Sequence, residues 1–180
     1  MDAILDASAR ILGSRGWAGF TTNAAAEAAG VSIGSLYQYF PNKLALAEAV
    51  RLRHLNEVLS VLRTAANGKM TRAGRIEALA DGLIAVHSRY PAAHRVLLEE
   101  SPRGEDSRGA HDFFETEFRK GYEEIIAMNS RRTTHAHISA QVLAGAAAGA
   151  VHHAARQGTL ALPEFRQELI VLIQSYLSKR

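Results

Sequence analysis

The sequence predicts an all-α protein of about nine helices, with an N-terminal helix-turn-helix domain over residues 1–48 and a larger helical domain over 49–180. Three observations carry that expectation. Apolar residues recur at three- and four-residue spacing through most of the chain. Glycines, prolines and polar runs punctuate those stretches at intervals that suit helices. The stretch TTNAAAEAAGVSIGSLYQYFPNK, Thr21 to Lys43, reads as two short helices across a tight turn, with a third beginning where it ends.

Taken in order, Asp2 to Arg15 is an amphipathic helix, with Ile4, Ser8, Ile11, Leu12 and Arg15 at helical spacing and Leu5 broadening the apolar face. Gly16 stops it, and Trp17 and Phe20 cover the bottom of a small core. Thr21 then caps an alanine-rich helix of high propensity. Gly30 ends that helix in a left-handed conformation, and Val31 plugs the hinge. Ser32 caps the next helix, Ile33 to about Tyr39, which Pro41 closes by disfavouring a helical residue before it.

This short helix is suited to touching rather than packing. Gly34 and Ser35 are small, while Tyr37, Gln38 and Tyr39 carry donors and acceptors; Leu36 and Phe40 point back to a core. Helix N-termini at Thr21, Ser32 and Asn42 present backbone N–H groups and the positive end of a helix dipole, which favour phosphate oxygens. Lys43 adds a mobile positive charge.

The same residues resemble the N-terminal domain of TetR-family transcriptional regulators. AGVSIGSLYQYFPNK, with Gly16 and an aromatic before it and two threonines at the helix start, is similar to that family's motif from about Ile4 to Val50. The resemblance implies an all-helical homodimer that binds a palindromic operator in double-stranded DNA and usually represses transcription. It also implies a C-terminal domain that binds a small effector and dimerises. Carried over by position, Thr21, Thr22 and Ser32 meet the DNA near its phosphates, and Ser35, Gln38, Ile33 and Gly34 lie against base edges. Tyr37, Tyr39 and Lys43 fall on the backbone. Ala24 and Ala25 depart from the family, whose members often carry a charged residue followed by a branched apolar one. The exchange removes a DNA contact and thins the packing.

Composition sets the outer bounds. A chain of 180 residues, 47% hydrophobic and 22% charged, has enough apolar material for a proper core. It has no cysteine, which excludes disulfides and thiolate metal sites and suits a reducing cytoplasm. The start, MDAILDASAR, lacks the apolar core of a secretory signal, and the apolar run Val142–Val151 is too short to span a bilayer. A cytoplasmic protein with no membrane partner is expected. The net charge is +3, yet residues 1–65 set Arg10, Arg15, Lys43, Arg51, Arg53 and Arg63 against Asp2, Asp6, Glu27, Glu48 and Glu57. Any DNA contact therefore depends on helix termini, hydroxyls and a few placed cations, not a broad basic patch.

Beyond the motif, Asn42 to about Ala66 reads as one long helix with Leu44, Ala47, Val50, His54, Val58, Val61 and Leu62 inward. Its continuity lets a shift at one end reach the other. His54 on that face is a packed histidine, not a ligand. Thr71 or Arg72 to Tyr90 follows, ended by Pro91, and then Ala92 to Glu100 and the polar loop SPRGEDSRG. Ala110 to about Ala127 aligns Phe114, Phe118, Tyr122, Ile125 and Ile126 along one side, as core in the first instance. The resemblance adds an effector pocket between the middle helices, and the residues placed there are Leu83, His87, Phe114, Phe118 and Tyr122. A second polar loop covers Asn129–Thr133.

His135–Gln157 and Pro163–Ser178 form the last pair of helices. Ala140, Ala144, Ala147, Ala148 and Val151, with Gly145 and Gly149 nearby, form a flat small-residue surface. The final helix is apolar around more than one side. Both features predict a twofold four-helix interface between two copies, where the family also places its dimer contact.

Two other function classes compete with a DNA-binding regulator. An enzyme finds no support: there is no glycine-rich phosphate loop or nucleophile elbow, and neither His135/His137 nor His152/His153 converges on one metal from a helix. No catalytic residue, metal ligand or cofactor is assigned. A helical partner-binding protein with a non-functional helix-turn-helix is the alternative, favoured by Ala24, Ala25 and the near-neutral head.

Overall fold

The computed structural model describes residues 1–102, 108–129 and 135–178. Its helices are α1 (Asp2–Gly19), α2 (Thr22–Ala29), α3 (Ile33–Tyr37), α4 (Lys43–Ala65), α5 (Arg72–Arg89), α6 (Pro91–Glu99), α7 (Arg108–Asn129), α8 (Ala136–Gln157) and α9 (Pro163–Ser178). Every described element is helical, as the periodicity predicts. The predicted loops SPRGEDSRG and Asn129–Thr133 fall in part outside the described residues, at 103–107 and 130–133.

Two compact units emerge, and they are interleaved in sequence. One combines Met1–Leu55 with Tyr90–His111, and the other combines Asn56–Arg89 with Asp112–Arg180. By contacts the units do not follow the sequential order expected around residue 48: α6 packs on α1, so the first unit includes a helix from the middle of the chain. α4 contributes Lys43–Leu55 to the first unit and Asn56–Ala65 to the second.

In the first unit, α1 runs until Gly16, whose φ of 65° and ψ of −178° break the helix before a last turn to Gly19. The break turns Trp17 and Phe20 under the core, with their rings 6.1 Å apart. Leu12, Phe20, Ala25, Leu36, Leu46 and Val96 are buried together. Close approach of α1 and α6 requires small residues. A Cβ on Gly13 would lie 3.1 Å from the Ala93 backbone nitrogen and 3.2 Å from Ala92 Cβ. Glu100, just past α6, accepts from the Trp17 backbone N–H at 3.2 Å. From α4, Arg51 donates to Leu97 O at 2.9 Å, near the same end of α6.

The second unit buries Val58, Leu62, Leu79, Tyr122, Ile125, Leu143, Ala147 and Ile173 in one core. Arg75, itself buried, donates to Asn129 Oδ1 at 3.1 Å and to Met70 O at 3.2 Å, joining the start of α5 to the end of α7. Outside, Arg166 grips Asp81 with two bonds of 2.6 and 2.9 Å across α9 and α5.

Here the reading of α8 needs correction. Ala140, Ala144, Ala147 and Val151 do not form an outward surface: they are buried in their own chain, where α8 packs on α5 and α9. Alanines let those helices approach, so the monomer itself uses the flat face. Ala148 is half-buried. Gly145 and Gly149, by contrast, lie on the exposed face with Ile138, Val142 and Ala146. A Cβ on either glycine would meet nothing within 4 Å.

Candidate nucleic-acid interface

The interface is built from local capping. Thr21, in an extended conformation, accepts from the Ala24 N–H at 3.1 Å through its hydroxyl and so starts α2. Gly30 ends α2 with φ 70°, and the Val31 N–H reaches back to Ala26 O at 3.0 Å, the bond that closes a left-handed C-terminal turn. Ser32 accepts from the Ser35 N–H at 3.0 Å and starts α3. Asn42 does the same for α4, taking the Ala45 N–H at 2.8 Å. Both predicted caps form, and Asn42 caps the third predicted helix start.

The helix they present is shorter than expected, five residues in place of seven, because Gln38 and Tyr39 pass into a turn closed by Phe40 N–H to Leu36 O at 2.9 Å. Its two sides differ as the composition requires. Leu36 is fully buried and Phe40 nearly so. Ser32, Ile33, Gly34, Ser35, Gln38, Tyr37 (49% exposed) and Tyr39 (58% exposed) face out. A side chain at Gly34 would touch only Ser32 Oγ, at 3.9 Å, so a surface can come close to this backbone. Thr21 is exposed, while Thr22 is half-buried and shares a 3.2 Å hydrogen bond with the Tyr37 hydroxyl. That bond joins α2 to α3 and fixes the tyrosine.

Sequence reasoning missed what the cations do. Lys43 Nζ donates to Trp17 O at 3.1 Å and Phe20 O at 3.3 Å, and sits 4.2 Å from the centre of the indole ring. It fastens the end of α1. Arg51 pairs with Glu48 and closes the end of α6, and Arg53 pairs with Asp6 at 2.8 Å. Arg10 and Arg15 remain exposed. The only sequence signal for these roles was the near balance of charge in this region. Ala24 and Ala25 are both buried, so neither presents a side chain outward.

The residues placed in an effector pocket belong to the second unit and fall into two groups. Phe114, Phe118 and Tyr122 form a ladder on α7, with ring centroids 5.2 and 5.1 Å apart. Leu83 and His87 are buried on α5, where His87 Nδ1 bonds Leu83 O at 2.8 Å. Burial pushes His87 down to about 4, outweighing that hydrogen bond, with the nearby His152 acting in the same direction. His152 on α8 lies 5.1 Å away, its own pKa lowered by burial and by the Arg156 charge. Neutral imidazoles result at neutral pH. Two cavities described in this unit lie elsewhere: one of about 320 Å³ between α5 and α9 beside Arg72 and Gln174, and one of about 230 Å³ between α4 and α7 beside Arg63 and Gly121.

Residues 4–50 match the model of bacterial regulatory proteins of the tetR family, and residues 73–177 match the tetracyclin repressor-like C-terminal domain. The chain belongs to the TetR family. It is a DNA-binding transcriptional regulator, with the helix-turn-helix of that family at its N-terminus. Solved TetR-like structures share the fold at low identity. FadR of Bacillus subtilis in complex with stearoyl-CoA gives a TM-score of 0.77 at 13% identity, covering 98% of this chain and 97% of its own. The fatty acid degradation regulator FadR of Bacillus halodurans gives 0.76 at 14%, covering 99% and 98%. The SmeT–triclosan complex gives 0.72 at 17%, covering 98% and 89%. No curated protein matches the sequence. Among the described residues, no helix of this TetR-family chain is long and apolar enough to cross a membrane.

Proposed function

We propose that the protein is a cytoplasmic repressor that binds an inverted-repeat operator as a homodimer and leaves it when a small molecule occupies the second unit. One observation carries the DNA half of this reading: α3 is held by a cap at Ser32 and a buried Leu36, and shows its Ser, Gln and Tyr side chains to solvent. A helix with that surface fits a major groove, where Gln38 and Ser35 reach base edges and Ile33 and Gly34 lie against them. Thr21, Thr22, Ser32, Tyr37 and Tyr39 serve the phosphates. Lys43 contributes to them with the one ammonium N–H not given to Trp17 and Phe20.

Dimerisation is assigned to the exposed faces of α8 and α9. Ile138, Val142, Gly145, Ala146 and Gly149 on one helix and Val171 on the other are apolar or small, and exposed in the single chain. Helices pairing there in twofold fashion bury both sets. The two reading heads then meet half-sites about one turn of duplex apart or slightly more.

The effector is assigned to the neighbourhood of Leu83, His87, Phe114, Phe118 and Tyr122. Relatives of the same fold are seen with stearoyl-CoA, whose acyl chain is apolar though its nucleotide half is charged, and with triclosan, and an aromatic, uncharged lining suits the apolar parts of such ligands. The effector releases DNA to the extent that it binds unequally to the conformers that match and mismatch the operator. DNase footprinting on the promoter beside the protein's own gene tests the reading. The expected result is one symmetric protected site. If no inverted repeat in the source genome is protected, the reading fails.

A further inference from the structure

We propose that the buried hydroxyl of Tyr122 is the hydrogen-bond donor that recognises an uncharged, flat, largely apolar effector carrying an acceptor oxygen; this deepens the effector reading above and rests on it. Along α7, Phe114, Phe118 and Tyr122 recur every four residues and stand on one side of the helix. Phe114 and Phe118 are half-buried and stacked at 28°, whereas Tyr122 is fully buried and meets Phe118 edge-on at 68°. The ladder therefore leads from the surface of the unit to a phenol in its core.

At the inner end the hydroxyl has no hydrogen-bond partner among the described residues. A buried tyrosine hydroxyl normally finds one, since leaving the donor unmade forfeits its hydration without return. Arg75 Nε is likewise unpaired, but its guanidinium is held by Asn129 and Met70, so it is tied to the frame of the unit. Among the described residues, Tyr122 has no such second attachment.

Chemistry narrows the ligand. Burial raises the Tyr122 pKa, so the phenol keeps its proton and acts as a donor. All three rungs are neutral, and a carboxylate brought to the inner end would lose its hydration against aromatic carbon. Ring faces and edges reward a flat apolar body. A ketone or ether oxygen on such a body supplies the missing acceptor.

Calorimetry on the full chain with three probes of similar size tests this. Acetophenone offers the acceptor, ethylbenzene lacks it and benzoate adds a charge. Acetophenone is expected to bind roughly tenfold tighter than ethylbenzene, the return on one net hydrogen bond, with benzoate weakest. Tyr122→Phe should erase the ketone preference, bringing acetophenone to the affinity of ethylbenzene. Equal binding of ketone and hydrocarbon, a preference that survives in Tyr122→Phe, a benzoate preference, or no acetophenone binding overturns the proposal. Urea unfolding adds a check that needs no ligand. The Tyr122→Phe midpoint should stay level or rise; a fall shows that the hydroxyl is already paired in the free protein, by a buried water, and also overturns it. Operator binding by the parent protein is scored separately, so failure of the regulator reading and failure of the Tyr122 assignment remain distinct.

Discussion

The Lys43 ammonium lies 4.2 Å from the centre of the Trp17 indole and donates to the carbonyl oxygen of that same tryptophan at 3.1 Å. A residue that reads as a phosphate contact is thereby also the clasp between the start of α4 and the end of α1. Lys43→Ala should lower the stability of the protein by about 1–2 kcal/mol in urea unfolding, from the lost charged hydrogen bonds and ring contact. If its remaining N–H also meets a phosphate, the slope of log K against log salt falls by roughly one unit. A stability loss with an unchanged slope assigns Lys43 to the clasp alone.

Gln38 sits just past α3, exposed, on the side opposite the buried Leu36. Gln38→Ala should reduce discrimination at one operator position by about 1–3 kcal/mol while total affinity for scrambled DNA changes little. Binding to a set of single-base operator variants measures it. Uniform weakening across all variants would move Gln38 from the bases to the backbone.

The two sides of α8 make opposite predictions. Ala147 is fully buried, so Ala147→Glu should cost more than about 4 kcal/mol and unfold the chain, whatever the oligomeric state. Gly149 is exposed with open space beyond it. Gly149→Glu should keep helical circular dichroism and thermal unfolding near the parent's, yet sediment as a monomer. A dimer that survives this substitution places the interface on another face.

His87 makes stability depend on pH. Its pKa of about 4 in the fold lies below the ordinary value of 6.5, so the unfolded chain takes up a proton that the folded chain refuses. Stability is therefore full above about pH 6.5, falls as pH drops from there toward 4, and levels off below; the loss is on the order of 3 kcal/mol from this group. His152 adds to the fall in the same sense. Urea midpoints measured from pH 7.5 to 4 should show the decline, and His87→Gln should flatten most of it.

The order of helices and the reading head were legible in the chain itself. Thr21, Ser32 and Asn42 cap where their hydroxyl or amide chemistry predicts, Gly30 takes the left-handed turn, and Leu36 and Phe40 turn inward from α3. These are local matters, fixed by backbone donors within three or four residues and by the helical repeat. What the repeat leaves open is which neighbour covers a face. Gly13 and the pair Ala92–Ala93 carry little hydrophobic signal, yet their small size is what lets α1 and α6 meet and draws a mid-chain helix into the reading unit. Ala144 and Gly145 are neighbours of similar bulk, and only the placement of α5 and α9 buries the first and exposes the second. Long cationic side chains were the least legible of all. Lys43, Arg51 and Arg53 have the reach for a phosphate or for their own fold, and the carbonyls and carboxylates that take them lie far away in sequence for Lys43 and Arg53 and on both sides for Arg51. Local chemistry thus set the elements and the polar face that α3 shows to solvent, and tertiary packing set which small and charged residues remain available to a partner.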